Sequence, residues 1–189
     1  LGGVRGVKER GVHPAKIPVT GGPCPAGEVA LGRQSFLTIG CGQLEEARRF
    51  ASCLRGKAMR TIESNDVDGI EYAAVLKNVY AIAAGMVHGL KDGDNFLAML
   101  VSNAIREMER FINTACPRSS RQICDSVYLG DLLVTCYSRF SRNHNFVPMI
   151  GRGYSATAAR MEIEQTAQGY YRTNCTHEIN QRYRANMTN

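Results

Sequence analysis

Lys77 is the residue whose type and setting first suggest chemistry. It is the only permanently charged residue between Tyr72 and Leu90, in a stretch that reads EYAAVLKNVYAIAAGMVHGL (71–90). On a helix its neighbours at i−4, i−3, i+4 and i+7 are Ala73, Ala74, Ala81 and Ala84, a strip of small side chains that lets another object come close. The larger Val75, Leu76, Val79, Ile82 and Met86 lie mostly on other faces. Burying an ammonium is costly unless it is paired, and burial favours release of its proton, which suits proton transfer. A lysine that snorkels to solvent or makes an internal ion pair fits the same residues.

A second constellation lies in GDLLVTCYSRFSRNHNF (130–146). Asp131 opens an otherwise uncharged run and is a natural partner for a buried cation. Ser141, Arg142 and Asn143 put a hydroxyl, a guanidinium and an amide side by side at a turn, a set suited to phosphate oxygens. Taken alone, the same trio also describes a polar surface turn.

Other motifs fail on context. Gly151-Arg-Gly153-Tyr-Ser-Ala156 has the letters of a dinucleotide loop, but Pro148 interrupts the run before it and no strand with an acidic end follows. DGDN (92–95) would need ligands at Phe96 and Asn103 to be a calcium loop. His13, His88, His144 and His177 are isolated in sequence. The seven cysteines (24, 41, 53, 116, 124, 136, 175) show no paired spacing, so reduced thiols and no metal site are expected.

The elements that must position these residues change character along the chain. KIPVTGG (16–22), SFLTIGC (35–41) and AMRTIES (58–64) read as short strands, and GEVALGRQ as a short helix or loop. LEEARRFASCL (44–54) places Leu44, Ala47, Phe50, Ala51 and Leu54 on one helical face, which gives a strand–helix–strand pattern. From about residue 66 the pattern is helical. Asp68 is the expected cap of a helix running through His88, and Asp94 of a second one carrying the stripe Leu97, Leu100, Val101, Ala104, Ile105, Met108 and Phe111. SVYLGDLLVTCYSRF continues as helix, and Ser155 is a plausible cap for ATAARMEIEQTAQGYY. The expected fold is mainly α: an α/β remnant over 1–66 and an all-helical domain over 67–189.

Composition bounds the function. The chain has 189 residues, 44% hydrophobic and 21% charged, with a net charge of +6. That is the composition of a globular protein with a real core. From Arg139 onward there are seven Arg, no Lys and three Glu, a bias that suits forked recognition of phosphate or carboxylate. No aromatic stacking pattern or basic recognition helix accompanies it, so no nucleic acid partner is expected. No basic segment followed by an apolar run opens the chain, so no signal peptide is expected. Lys77, Asn78 and Gly85 break the best apolar run, so no membrane span is expected either.

Taken together, EYAAVLKNVYAIAAGMVHGLKDGDN, YLGDLLVTCYSRFSRNHNF and GPCPAGEVA resemble the NAD(P)-dependent glycerol-3-phosphate dehydrogenases, particularly the bacterial branch. IGRGYSATAARMEIEQTAQGYY extends the resemblance, which spans about residues 14 to 183. It implies the end of a Rossmann-type nucleotide-binding domain over 1–66 and an all-helical substrate domain over 67–189. The implied reaction is reversible hydride transfer between NAD or NADP and C2 of glycerol 3-phosphate or dihydroxyacetone phosphate, serving glycerophospholipid precursor synthesis in the cytoplasm.

Carried over position by position, Lys77 resembles the catalytic lysine and Asp131 the aspartate that orients lysine and substrate. Ser141, Arg142 and Asn143 resemble the substrate-gripping residues, with Gly22 and Cys24 beside them. Ala26, Arg142, Ala167 and Gln168 fall at cofactor-binding positions. Cys24 stands where the family usually has Ser or Thr, and Gln168 replaces a more usual Glu. The glycine-rich fingerprint and an upstream Lys-Gly pair have no counterpart, so impaired activity is expected of the isolated chain. The alternative is a non-catalytic helical module that binds phosphorylated ligands or a partner chain. A homodimer is left open.

Overall fold

The computed structural model describes residues 14–90, 92–138, 177, 178, 180, 181, 183 and 184. The expected Ser155 cap, the helix after it and the 151–156 motif lie outside the described residues, as do His13 and His144. The chain forms two compact units, Leu1–Tyr72 with Cys124–Asp131, and Ala73–Ile123 with Leu132–Asn189. Cys124–Asp131 thus returns to the first unit, whereas the sequence pattern grouped it with the helical half.

In the first unit the strands are β1 (Val19–Gly21), β2 (Ser35–Gly40) and β3 (Met59–Ser64), in the order β1-β2-β3. Short runs that include Val19, Thr20, Thr38, Ile39, Thr61 and Ile62 favour the extended backbone. β2 and β3 are parallel, with Ser35 opposite Met59 and Gly40 opposite Ser64. The connection between them is helix α2 (Leu44–Leu54), so the strand–helix–strand expectation holds here. β1 pairs antiparallel with β2 and stands outside that pattern. Between them, α1 (Ala26–Ala30) is a short helix.

α2 packs Ala47 and Ala51 into a small core with Ile39 and Cys41, flanked by Leu37 and Leu44. Its first turn carries Glu45 and Glu46, which suit the positive end of the helix, and each pairs with an arginine three residues on. Phe50 and Leu54 do not join this core: they are 41% and 37% exposed.

α3 runs Val67–Leu90, and Val67–Tyr72 belongs to the first unit. It starts before Asp68 and ends beyond His88. Its cap is Asp66, whose carboxylate accepts the Gly69 N–H at 3.3 Å, while Asp68 lies within the first turn. α4 (Gly93–Ala115) likewise begins one residue before the expected cap Asp94, and its first residue, Gly93, has φ of 84°. At 24 residues, α3 is long and apolar enough to cross a membrane by length and composition, because Lys77, Asn78 and Gly85 do not interrupt it. One such helix is weak evidence for a span. Ala73, Leu76, Tyr80, Ala81, Ala84 and Val87 are buried, as in the core helix of a globular domain.

Among the described residues, the second unit holds the rest of α3, α4, and α5 (Asp131–Tyr137) from Leu132 onward. Leu97, Val101, Ala104, Met108 and Phe111 of the α4 stripe are buried, joined by Ile112, Leu132 and Cys136. Glu107 sits on that same buried face, fully covered, and accepts a hydrogen bond from the Tyr80 hydroxyl at 2.9 Å. Burial, then the Glu107 charge, pushes the Tyr80 phenol well above its ordinary range. The Cys136 thiol is pushed up to about 12 by burial. Tyr80→Phe is expected to lower the unfolding free energy by about 1–3 kcal/mol through the loss of this buried hydrogen bond. Urea unfolding measures it; an unchanged midpoint would show that the bond contributes nothing net.

Candidate active site

The segment after β1 reads Gly22-Pro-Cys-Pro25, and its residue types dictate its path. Gly22 has φ of 125°, a conformation that glycine tolerates and other residues rarely adopt. A Cβ at this position would sit 2.7 Å from the Phe36 carbonyl oxygen. Pro23 accepts the Phe36 N–H at 3.2 Å, which ties the segment to β2. Pro25 is extended, and its carbonyl accepts the Glu28 and Val29 amides at 3.0 and 3.1 Å, starting α1 with Ala26 exposed.

Asp131 follows a five-residue π-type turn, Ser126–Gly130, and is only 4% exposed. π-type turns are rare and frequent at functional sites. The Gly22 N–H donates to Asp131 Oδ2 at 3.2 Å, across 109 residues of chain. Cys24 is half-buried, with its Sγ 4.0 Å from Met59 Sδ. Burial pushes the Cys24 thiol up and the Asp131 charge adds to this, opposed by hydrogen bonding to Ser35. Cys24 is therefore a neutral thiol near pH 7, a weak donor and a poor nucleophile. Three residues singled out in the sequence, Gly22, Cys24 and Asp131, thus meet in the first unit.

Lys77 lies in the second unit, half-buried on α3. Ala73, Ala81 and Ala84 of the strip beside it are buried, so three of its four positions serve packing and only Ala74 retains exposure. One turn of α3 is bonded internally where Asn78 Nδ2 donates to the Ala74 carbonyl at 2.6 Å. Ser141, Arg142, Asn143, Ala167 and Gln168 lie outside the described residues.

A model of the family described as NAD-dependent glycerol-3-phosphate dehydrogenase C-terminus matches residues 66–188. The chain belongs to this family. The NAD(P)+ glycerol-3-phosphate dehydrogenase of Novosphingobium aromaticivorans is 37% identical over 158 residues, covering 83% of this chain and 47% of that protein. The enzyme of the same name from Nitrosomonas eutropha is 33% identical over 178 residues, covering 93% and 54%. Among solved structures, glycerol-3-phosphate dehydrogenase from Coxiella burnetii matches with a TM-score of 0.85 at 29% identity, over 90% of this chain and 52% of that one. The chain spans about half the length of the curated relatives it matches.

Asp66, Tyr80, Glu107 and Tyr128 of this glycerol-3-phosphate dehydrogenase family member form buried hydrogen bonds that no sequence motif marks out. Glu107 could have been found, since it is a charged residue at the position of the α4 stripe between Ala104 and Phe111. Tyr128 carried no signal, because its partner is 62 residues away.

Two outcomes follow from the geometry. Gly22→Ala forces both a strained φ and a clash with Phe36, and is expected to cost about 1–3 kcal/mol in thermal or urea unfolding. With iodoacetamide near neutral pH, the exposed Cys53 and Cys124 should react first, Cys24 more slowly, and the buried Cys41 and Cys136 only on unfolding. Because the Cys24 shift is upward, its rate should keep rising with pH beyond the range where a free thiol levels off. Equal rates for Cys24 and Cys53, read by peptide mass mapping, would contradict the assigned environment.

Proposed function

We propose that this chain carries the substrate-binding and proton-transfer part of an NAD(P)-linked glycerol-3-phosphate dehydrogenase. The observation that carries the proposal is the buried Asp131 carboxylate receiving the Gly22 amide beside Cys24. That contact joins residues which sequence resemblance assigns to one substrate site. The helix bearing Lys77 falls within the segment that matches the family.

In this reading a bound nicotinamide, as NAD or NADP, supplies or accepts the hydride at C2 of the triose. Lys77 Nζ gives a proton to the carbonyl oxygen of dihydroxyacetone phosphate and takes it back in the reverse direction. Asp131 orients lysine and substrate, while Ser141, Arg142 and Asn143 hold the phosphate. Gly22 and Cys24 complete the substrate side, where a neutral thiol donates more weakly than the hydroxyl of Ser or Thr. Ala26, Arg142, Ala167 and Gln168 would hold the nucleotide. The surface at Ala26 fits that role: it is exposed, and a side chain at Gly27 would meet nothing within 4 Å. Residues 1–66 would then be the nucleotide-side domain and 67–189 the substrate domain, apart from Val67–Tyr72 and Cys124–Asp131, which cluster with the first unit. Glycerol 3-phosphate formed in the cytoplasm would supply glycerophospholipid synthesis.

The test is oxidation of NADH and of NADPH with dihydroxyacetone phosphate, alongside calorimetric binding of the triose phosphate. Lys77→Ala is expected to lower kcat by about 10²–10⁴ while leaving triose phosphate binding measurable. A mutant that turns over like the parent would remove Lys77 from the mechanism. Triose phosphate binding without any turnover would favour the non-catalytic module.

A further inference from the structure

Asp66 is 6% exposed and Tyr128 is 3% exposed, and neither belongs to the residues assigned above to substrate or cofactor. The Tyr128 hydroxyl donates to Asp66 Oδ2 at 2.5 Å. The other oxygen, Oδ1, accepts the Gly69 N–H and so caps α3. The Asp66 backbone is engaged as well: its N–H donates to Ser64 Oγ at 3.1 Å and its carbonyl accepts the Ile70 N–H at 3.1 Å. This carboxylate therefore has two roles, one at the start of α3 and one on the π-type turn.

Tyr128 is the middle residue of the five-residue turn Ser126–Gly130, which Asp131 directly follows. The turn is also seated by packing. A Cβ at Gly21 would lie 2.8 Å from Val127 Cγ2 and 3.1 Å from Ile70 Cγ2, so the bare glycine of β1 lets both the turn and the first turn of α3 come in closely. Val127 and Ile70 fix the depth of that seat. Dispersion contacts have little directional preference, whereas the Tyr128 hydroxyl must meet an acceptor and so fixes the rotation of the turn.

We propose that Asp66 and Tyr128 are positioning residues for Asp131. Their hydrogen bond sets the pitch of the π-type turn, and thereby holds the Asp131 carboxylate where the Gly22 amide can reach it. Neither residue touches substrate; both act through Asp131. The catalytic part of this proposal rests on the function proposed above, while its structural part stands on the contacts alone.

Tyr128→Phe removes one oxygen and keeps the ring, with Tyr137→Phe as a control for an exposed tyrosine. Backbone amide exchange at Gly22 is expected to accelerate by about tenfold or more in Tyr128→Phe, with the α4 amides unchanged. In the active protein, kcat for dihydroxyacetone phosphate reduction should fall by about tenfold while KM changes by less than about threefold, since Asp131 is misplaced while the phosphate grip is retained. Tyr137→Phe should match the parent in both. Gly22 exchange within about twofold of the parent overturns the proposal, whatever the activity. Faster Gly22 exchange with unchanged kcat overturns it as well, because Asp131 would then tolerate displacement. If the parent protein neither binds nor turns over triose phosphate while Gly22 exchange accelerates, the function proposed above fails and the structural link stands. Should Tyr128→Phe not fold, Asp66→Asn tests the same link, because asparagine still caps a helix but has a single carbonyl oxygen for two donors. The same acceleration at Gly22 is expected, and its absence overturns the proposal.

Discussion

A carboxylate removed from water must be given donors, and in this protein that requirement organises the site. Asp131 is almost fully buried, and one donor it receives is the amide of Gly22, from the other end of the first unit's chain. The amide can point there because Gly22 adopts a backbone conformation that a side chain would strain and that Phe36 would block. The proline on each side of Cys24 then holds the thiol beside the carboxylate, where burial and charge keep it protonated. Backbone conformation, burial and thiol chemistry all follow from housing one acidic group.

The same demand recurs twice. Asp66 meets it by capping α3 and accepting Tyr128, so that a local helix signal doubles as a long-range tie. Glu107 meets it inside the helical unit through Tyr80 of α3. Buried polar pairs of this kind add little net stability compared with apolar packing, but they tolerate few alternative arrangements. Tyr128 cannot slide against Asp66 without losing its acceptor.

Family membership and this geometry bear on different halves of the functional question. The match over residues 66–188 establishes kinship with the glycerol-3-phosphate dehydrogenases. It says nothing of which side chains here have kept their environment. The described contacts speak to Gly22, Cys24 and Asp131, where burial first and the Asp131 charge after it favour the neutral thiol of Cys24. The alanine strip beside Lys77 illustrates the converse. Small residues permit close approach, but three of the four are covered by protein.

Much of the architecture was legible in the sequence because it is local. The short β-like runs SFLTIGC and AMRTIES, the spacing in LEEARRFASCL and the stripe from Leu97 to Phe111 are each satisfied within a few residues, and each element formed where its pattern lay. Helix starts were misplaced by one or two residues, since Asp66, Asp68, Asp92 and Asp94 are all chemically competent caps and only backbone geometry selects among them. Lys77 and Asp131 stood out as charges in apolar runs, a property that sequence alone determines. Tertiary structure decided what surrounds them: the antiparallel placement of β1, the exposure of Phe50, the return of Cys124–Asp131 to the first unit, and the Gly22 and Tyr128 contacts. Those outcomes depend on which distant segment fills a given space, and no pattern of neighbouring residues encodes a partner 62 or 109 positions away.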